Sequence, residues 1–176
     1  MDASRITRRL PRGAVLADIA CGEGRLASAL ASRCRVYEGF DASRVALRLA
    51  RARLGPVGNA SFHVMTDWLL PRPAASYDAA VLYGVLAALD VEASLALLRE
   101  AARVLRPGGL VFFDAPDLFD PENVGRLLSP GENAWPDERR PRYWSRAMLR
   151  TLLPPLGLTP ESIAPGRHLF VRALRR

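Results

Sequence analysis

Short apolar runs alternate along this chain with stretches in which apolar residues recur every three or four positions. That is the pattern of strands buried in a sheet interleaved with helices lying on it. Val15, Leu16 and Ile19 mark a strand over 14–20, followed by a helix over 25–32. A second strand over 35–40 leads to a helix over 43–54, where Val45, Leu47 and Leu49 mix with Arg44, Arg48, Arg51 and Arg53, so that one side packs and the other is wet. A third strand covers 61–65 and a Pro-rich connection 71–75. A fourth strand at 79–83 precedes a strong helix over 92–105 with Leu95, Leu98, Ala102 and Leu105 on one face, and a fifth strand occupies 110–114.

Beyond this the periodicity lapses. Residues 116–142 hold Pro116, Pro121, Pro130, Pro136 and Pro141 and few periodic apolar positions, which predicts a long irregular segment of the kind that serves as a lid or binding loop. Ser145 then caps a helix through Met148, Leu149, Leu152 and Leu153, and 158–174 reads as two strands around Ala164-Pro165-Gly166-Arg167. The expectation is an α/β, doubly wound, mostly parallel sheet forming a single domain over 1–176.

Charge changes this picture little. The net charge is +7, but every one of the 25 basic residues is arginine and glutamine is absent, a compositional bias rather than a nucleic-acid footprint. Locally, Arg5, Arg8, Arg9 and Arg12 make the start positive, and Arg167, Arg172, Arg175 and Arg176 the end. With no apolar run able to span a bilayer and no secretory leader, a cytoplasmic protein is expected. Cys21 and Cys34 lack CxxC spacing and a histidine pair, so they read as reduced thiols, with no metal site.

The candidate chemistry begins where the first strand ends. Asp18-Ile19-Ala20-Cys21-Gly22-Glu23-Gly24 places an acid and a Gly-x-Gly turn at the carboxyl end of a strand, where doubly wound sheets bind ligands. Gly22 to Ala27 also fits the dinucleotide pattern G-x-G-x-x-A, with Asp41 about 20 residues on. A second segment, Val104-Leu105-Arg106-Pro107-Gly108-Gly109-Leu110-Val111-Phe112-Phe113, tips the choice, because Pro-Gly-Gly stops a helix and a strand follows at once.

Together these segments resemble class I S-adenosylmethionine (AdoMet) methyltransferases. The resemblance also takes in Glu38-Gly39-Phe40-Asp41 at the end of strand two, Val64-Met65-Thr66-Asp67 after strand three and Tyr77-Asp78-Ala79-Ala80-Val81-Leu82-Tyr83 in strand four. It implies a Rossmann-like sheet of seven strands closed by an antiparallel C-terminal pair, and AdoMet as cofactor. By resemblance Gly22 and Gly24 border the methionine and ribose, and Asp18 holds that loop or the amino group. Asp41 accepts from the ribose hydroxyls and Asp67 from the adenine amino group, with Met65 or Trp68 on the ring faces. Arg106-Pro107-Gly108-Gly109 is implied to be structural only.

Tyr83 and Asp114, ending strands four and five, are the expected catalytic candidates, with Asp117 close on the same edge. His63 reads as a satisfied sheet residue. His168 is expected on the far side of the sheet from the cofactor or at its edge. In the irregular segment and just after it, Trp135, Tyr143 and Trp144, interleaved with Arg139, Arg140 and Arg142, are the candidate substrate residues of a loop or lid over 116–142. The family's nucleic-acid amino methyltransferases carry Asp/Asn-Pro-Pro-aromatic after strand four. Leu82-Tyr83-Gly84-Val85 stands there instead, which favours a small-molecule metabolite as methyl acceptor. RNA or protein methylation, and a non-catalytic AdoMet-binding module, are the alternatives. Only about 13 residues precede strand one, so the N-terminal helices with which many small-molecule members cover the acceptor are not expected.

Overall fold

The computed structural model describes residues 3–128 and 142–176. Five strands run parallel: β1 (Val15–Ile19), β2 (Val36–Asp41), β3 (Ala60–Val64), β4 (Tyr77–Leu82) and β5 (Leu105–Pro116). The last two, β6 (Leu158–Ala164) and β7 (His168–Arg175), form a hairpin, and β7 lies antiparallel to β5. The sheet order is β3-β2-β1-β4-β5-β7-β6, so the chain reverses direction of travel between β1 and β4. This switch point opens a crevice at the carboxyl ends of the parallel strands.

Both faces of the sheet are covered, which is why its central strands are largely apolar rather than alternating. On one face Leu16, Tyr37, Val81 and Phe112 pack against Ile6 of α1 (Ser4–Thr7), Leu30 of α2 (Ala27–Ala31) and Leu47 and Ala50 of α3 (Arg44–Leu54). On the other, Ala17, Phe40, Leu82 and Phe113 meet Leu97, Leu98 and Ala101 of α4 (Val91–Val104) and Leu149 of α6 (Arg146–Leu152). Side-chain oxygens close the exposed helix starts: Ser43 accepts from the Ala46 N–H, Asp90 from Ala93 and Ser145 from Met148.

Four features depart from the sequence-based expectation. A short helix, α1, precedes β1 and buries Ile6 to 1% exposure, so the Arg-rich start is part of the packed fold. The buried face of α4 is wider than the anticipated stripe: Leu98 and Ala102 are buried as expected, Ser94, Leu97 and Ala101 join them, and Leu95 is half-buried. Strand β5 starts at Leu105 instead of 110: the Arg106 guanidinium ion-pairs with Asp78 on β4 at 2.7 Å, and a Cβ on Gly109 would come within 3.2 Å of the Asp78 carbonyl. Finally, Pro121 starts a helix, α5 (Pro121–Leu128), where Asp120 accepts from the Glu122 N–H and proline fits the first turn. The predicted 116–142 loop is therefore strand end and helix up to Leu128, and residues 129–141 lie outside the described residues. Among the described residues no helix is long and apolar enough to cross a membrane.

Candidate functional site

A cleft of about 560 Å³ opens at the carboxyl ends of β1, β2, β3 and β4. Its floor is the turn after β1. Gly22 there has φ +55°, which glycine adopts without strain, and a Cβ on it would project into open space. The Gly22 N–H donates to Asp41 Oδ2 at 2.8 Å, so the end of β2 holds the turn in place. Asp41 Oδ1 accepts from the Ser43 N–H at 2.8 Å. Each carboxylate oxygen thus retains a lone pair at the cleft wall.

Asp18 lines the inner end of the cleft and is only 3% exposed. Burial, opposed by the Tyr37 hydroxyl and reinforced by the Asp41 charge, pushes its carboxyl up to about 7. The hydroxyl of Tyr37, on β2, donates to Asp18 Oδ2 at 2.7 Å and so fixes the carboxylate. A cation placed beside Asp18 would relieve that cost of burial. Cys21, also at the wall, has its thiol pushed up by burial and by Asp18 and Asp41, which leaves it protonated and poorly nucleophilic. Both cysteines are free.

Much of the remaining wall is apolar, with Met65 and Trp68 after β3 and Val85, Ala88 and Leu89 after β4, while Glu23 and Arg25 add two charged side chains beside the turn. Trp68 sits at φ +63° and its neighbour Asp67 at +50°, strained conformations for such residues. That pair turns the indole into the cleft and leaves Asp67 exposed, outside the lining. Gly24 does not line the cleft either. Its φ is +69°, and a Cβ would stand 3.0 Å from the Ala50 Cβ, so this glycine serves the contact between the turn and α3. One buried acid, one strand-end carboxylate with spare lone pairs, a side-chain-free turn and an apolar slot fit a ligand with an ammonium group, a diol and a flat ring, the parts of AdoMet.

Tyr83, at the end of β4, borders this cleft and also a second recess of about 410 Å³. The Arg25 guanidinium lies over its ring at 5.8 Å. Asp114 contributes to the second recess from a buried position, its Oδ1 accepting from the Gly84 N–H at 2.6 Å. His168 is not remote from the cofactor edge. Because β7 runs antiparallel to β5 and His168 pairs with Pro116, the first residue of β7 stands at the carboxyl end of β5, with its Nδ1 2.8 Å from Asp114 Oδ2. Arg5 of α1 and Phe170 complete much of that wall.

Of the aromatic lid candidates, neither of the two described ones lines that recess. Trp144 is fully buried, belongs to the core on the α4–α6 face and donates its indole N–H to the Leu86 carbonyl, so it is a core residue rather than a substrate contact. Tyr143 is half-buried and lines neither cavity, and Trp135 lies outside the described residues. His63 joins a polar cluster on the sheet, its Nε2 lying 2.9 Å from both the Ser61 hydroxyl and the Arg72 guanidinium, which also donates to Glu38. Burial and the Arg72 charge push its imidazole down, which keeps it neutral. Asp117 is tied into backbone, accepting from Phe119. Reasoning from the sequence missed Arg5, Arg25, Tyr37 and the 85–89 wall. The parity of β2, which sets Tyr37 and Asp18 on one face, is the available signal for one of them.

Comparison with known proteins agrees with this geometry. A family model described as methyltransferase domain matches residues 16–109. No curated protein matches the chain. Among solved structures, a SAM-dependent methyltransferase from Methanosarcina mazei superposes with TM-score 0.73 at 20% identity over 97% of this chain and 96% of that one. One from Mesorhizobium loti gives 0.75 at 18% identity over 99% and 98%. A magnesium protoporphyrin IX methyltransferase from Synechocystis with bound SAH gives 0.79 at 17% identity, covering 99% of this chain and 82% of the other. At these identities the likeness shows the fold alone.

Proposed function

The chain belongs to the methyltransferase-domain family as a class I, SAM-dependent enzyme, and from that premise we propose that it methylates a small molecule seated beside Tyr83. The cofactor is AdoMet. When bound, it supplies a methyl group on a sulfonium, electrophilic enough for direct displacement by an oxygen, nitrogen, sulfur or carbon nucleophile.

The chain's contribution is positioning, which is worth about 7–11 kcal/mol when two reactants are held in attack geometry. In this reading Asp18 receives the amino group, Asp41 the ribose hydroxyls, and Met65 and Trp68 the adenine faces, while Gly22 lets the ligand approach the backbone. Gly24 supports the turn from behind, against Ala50 of α3. The whole chain, 1–176, is read as one methyltransferase domain.

The observation that carries the small-molecule reading is the shared wall: Tyr83 separates the cofactor cleft from a recess of about 410 Å³, a size suited to a metabolite. On the competing side, Arg8 and Arg9 spend hydrogen bonds on the Ser4 and Arg5 carbonyls of α1 rather than forming an open basic strip. The test is incubation with methyl-labelled AdoMet and, separately, a small-molecule extract and total RNA. Label in the small-molecule fraction supports the reading. Label in RNA alone, with salt-dependent RNA binding, overturns it.

A further inference from the structure

We propose that His168, positioned by Asp114, is the general base of the second recess, and that the recess takes a small anionic molecule bearing a hydroxyl or amine nucleophile. This rests on the AdoMet reading of the neighbouring cleft. Asp114 is buried, its Oδ1 accepts from the Gly84 N–H at 2.6 Å, and its Oδ2 lies 2.8 Å from His168 Nδ1. With Asp114 ionised, the imidazole donates from Nδ1 and carries its lone pair on Nε2. Nε2 has no protein partner among the described residues, and the side chain is 41% exposed at the recess wall. A carboxylate–imidazole pair of this kind holds one tautomer ready to take a proton.

The same wall selects charge. The Arg5 guanidinium lies 4.9 Å above the Phe170 ring and has no carboxylate in ion-pair range among the described residues. Arg167 is half committed, to Glu122 at 3.2 Å. A guanidinium held over an aromatic ring suits a planar carboxylate, which it can meet bidentately. In the step itself the acceptor's X–H proton passes to His168 Nε2 as the bond from X to the methyl carbon forms. With AdoMet bound, the C–S electron pair would stay with sulfur as a neutral thioether, and the imidazolium would return its proton to solvent.

The chain has two histidines, so imidazole ¹⁵N NMR resolves His168 once His168→Gln assigns it. The groups facing that ring are Asp114 from β5, Tyr83 from the end of β4, Arg5 from α1 and Arg167 from the β6–β7 turn. The expected result is an Nδ1–H tautomer in the wild-type protein that redistributes towards Nε2–H in Asp114→Asn, a change that a merely structural Asp114 would not cause. With the protein saturated in S-adenosylhomocysteine, 4-hydroxybenzoate should shift the His168 resonances and leave those of His63 in place. Phenol should bind at least about tenfold more weakly, as should 4-hydroxybenzoate to Arg5→Ala, the gap expected for a charged hydrogen bond. Binding of S-adenosylhomocysteine with an Nε2–H tautomer, with His168 unmoved by 4-hydroxybenzoate, or with Arg5→Ala unaffected, overturns this proposal and leaves the donor site standing. No binding of S-adenosylhomocysteine overturns the donor site itself, and this proposal with it.

Discussion

Replacing Asp18 with Asn keeps the shape of the side chain and removes a charge that is expensive where it sits. The Asp18 carboxyl rises from 3.8 to about 7 on folding, chiefly through burial. A carboxyl with a raised folded pKa binds its proton more tightly in the native state, so its contribution to stability falls as pH rises between the two values and is flat above about 7. Integrating that linkage from about pH 5 to about pH 8 gives a loss on the order of 2–3 kcal/mol from this one group. In Asp18→Asn the loss is absent, while the Tyr37 hydroxyl still has an amide oxygen to donate to. Urea unfolding of the two proteins at several pH values therefore tests the reasoning without any ligand, because every other titrating group cancels in the difference. The variant should gain about 2–3 kcal/mol relative to wild type as pH rises across that window. Parallel curves would show that Asp18 is not desolvated as the geometry requires. The same substitution should weaken binding of S-adenosylhomocysteine, and wild-type affinity should increase with pH up to about 7, since the ligand's ammonium favours the ionised acid.

Asp41→Ala should lower affinity for S-adenosylhomocysteine by about 1.5–3 kcal/mol in calorimetry, the range for hydrogen bonds to a charged acceptor, with a smaller change in melting temperature. Gly24→Ala forces a Cβ to 3.0 Å from the Ala50 Cβ at φ +69° and should cost about 1–3 kcal/mol of stability in denaturant titration. Trp144→Ala empties a fully buried site and should destabilise by about 3–5 kcal/mol, whereas Tyr143→Ala should leave stability nearly unchanged. Equal stability effects of those two changes would return Trp144 to the surface.

The alternation of apolar runs with periodic stretches was enough to locate β1 to β4 to within a few residues, because a sheet covered on both faces leaves little polar alternation to mislead, whereas β5 extends back to Leu105 through Arg-Pro-Gly-Gly, which reads as a turn. The motifs placed Asp18, Gly22, Asp41 and Trp68 around one cleft because each sits at the carboxyl end of a parallel strand, where the topology gathers them. Asp67 and Gly24 lie one step away for local reasons that residue type does not reveal: a positive-φ pair turns Trp68 inward and Asp67 outward, and α3 crosses close over the turn. Helix α5 was hidden because Pro121 reads as a breaker although it occupies a first turn. His168 was misjudged from topology rather than chemistry, since an antiparallel closing strand must begin at the edge where its parallel neighbour ends. Trp144 shows the opposite error, an aromatic beside arginines that packs into the core.

The central claim, that the cleft built by Gly22, Asp18 and Asp41 binds the methyl donor, is tested most directly by calorimetric titration of S-adenosylhomocysteine into the wild-type protein and Asp41→Ala in parallel. The account predicts micromolar-range binding at one site in the wild type, corresponding to about −8 kcal/mol, and at least tenfold weaker binding in the folded variant. No heat and no thermal stabilisation of the wild type at about 100 times that Kd, where about 2.7 kcal/mol is expected, would contradict it, as would equal affinity in both proteins.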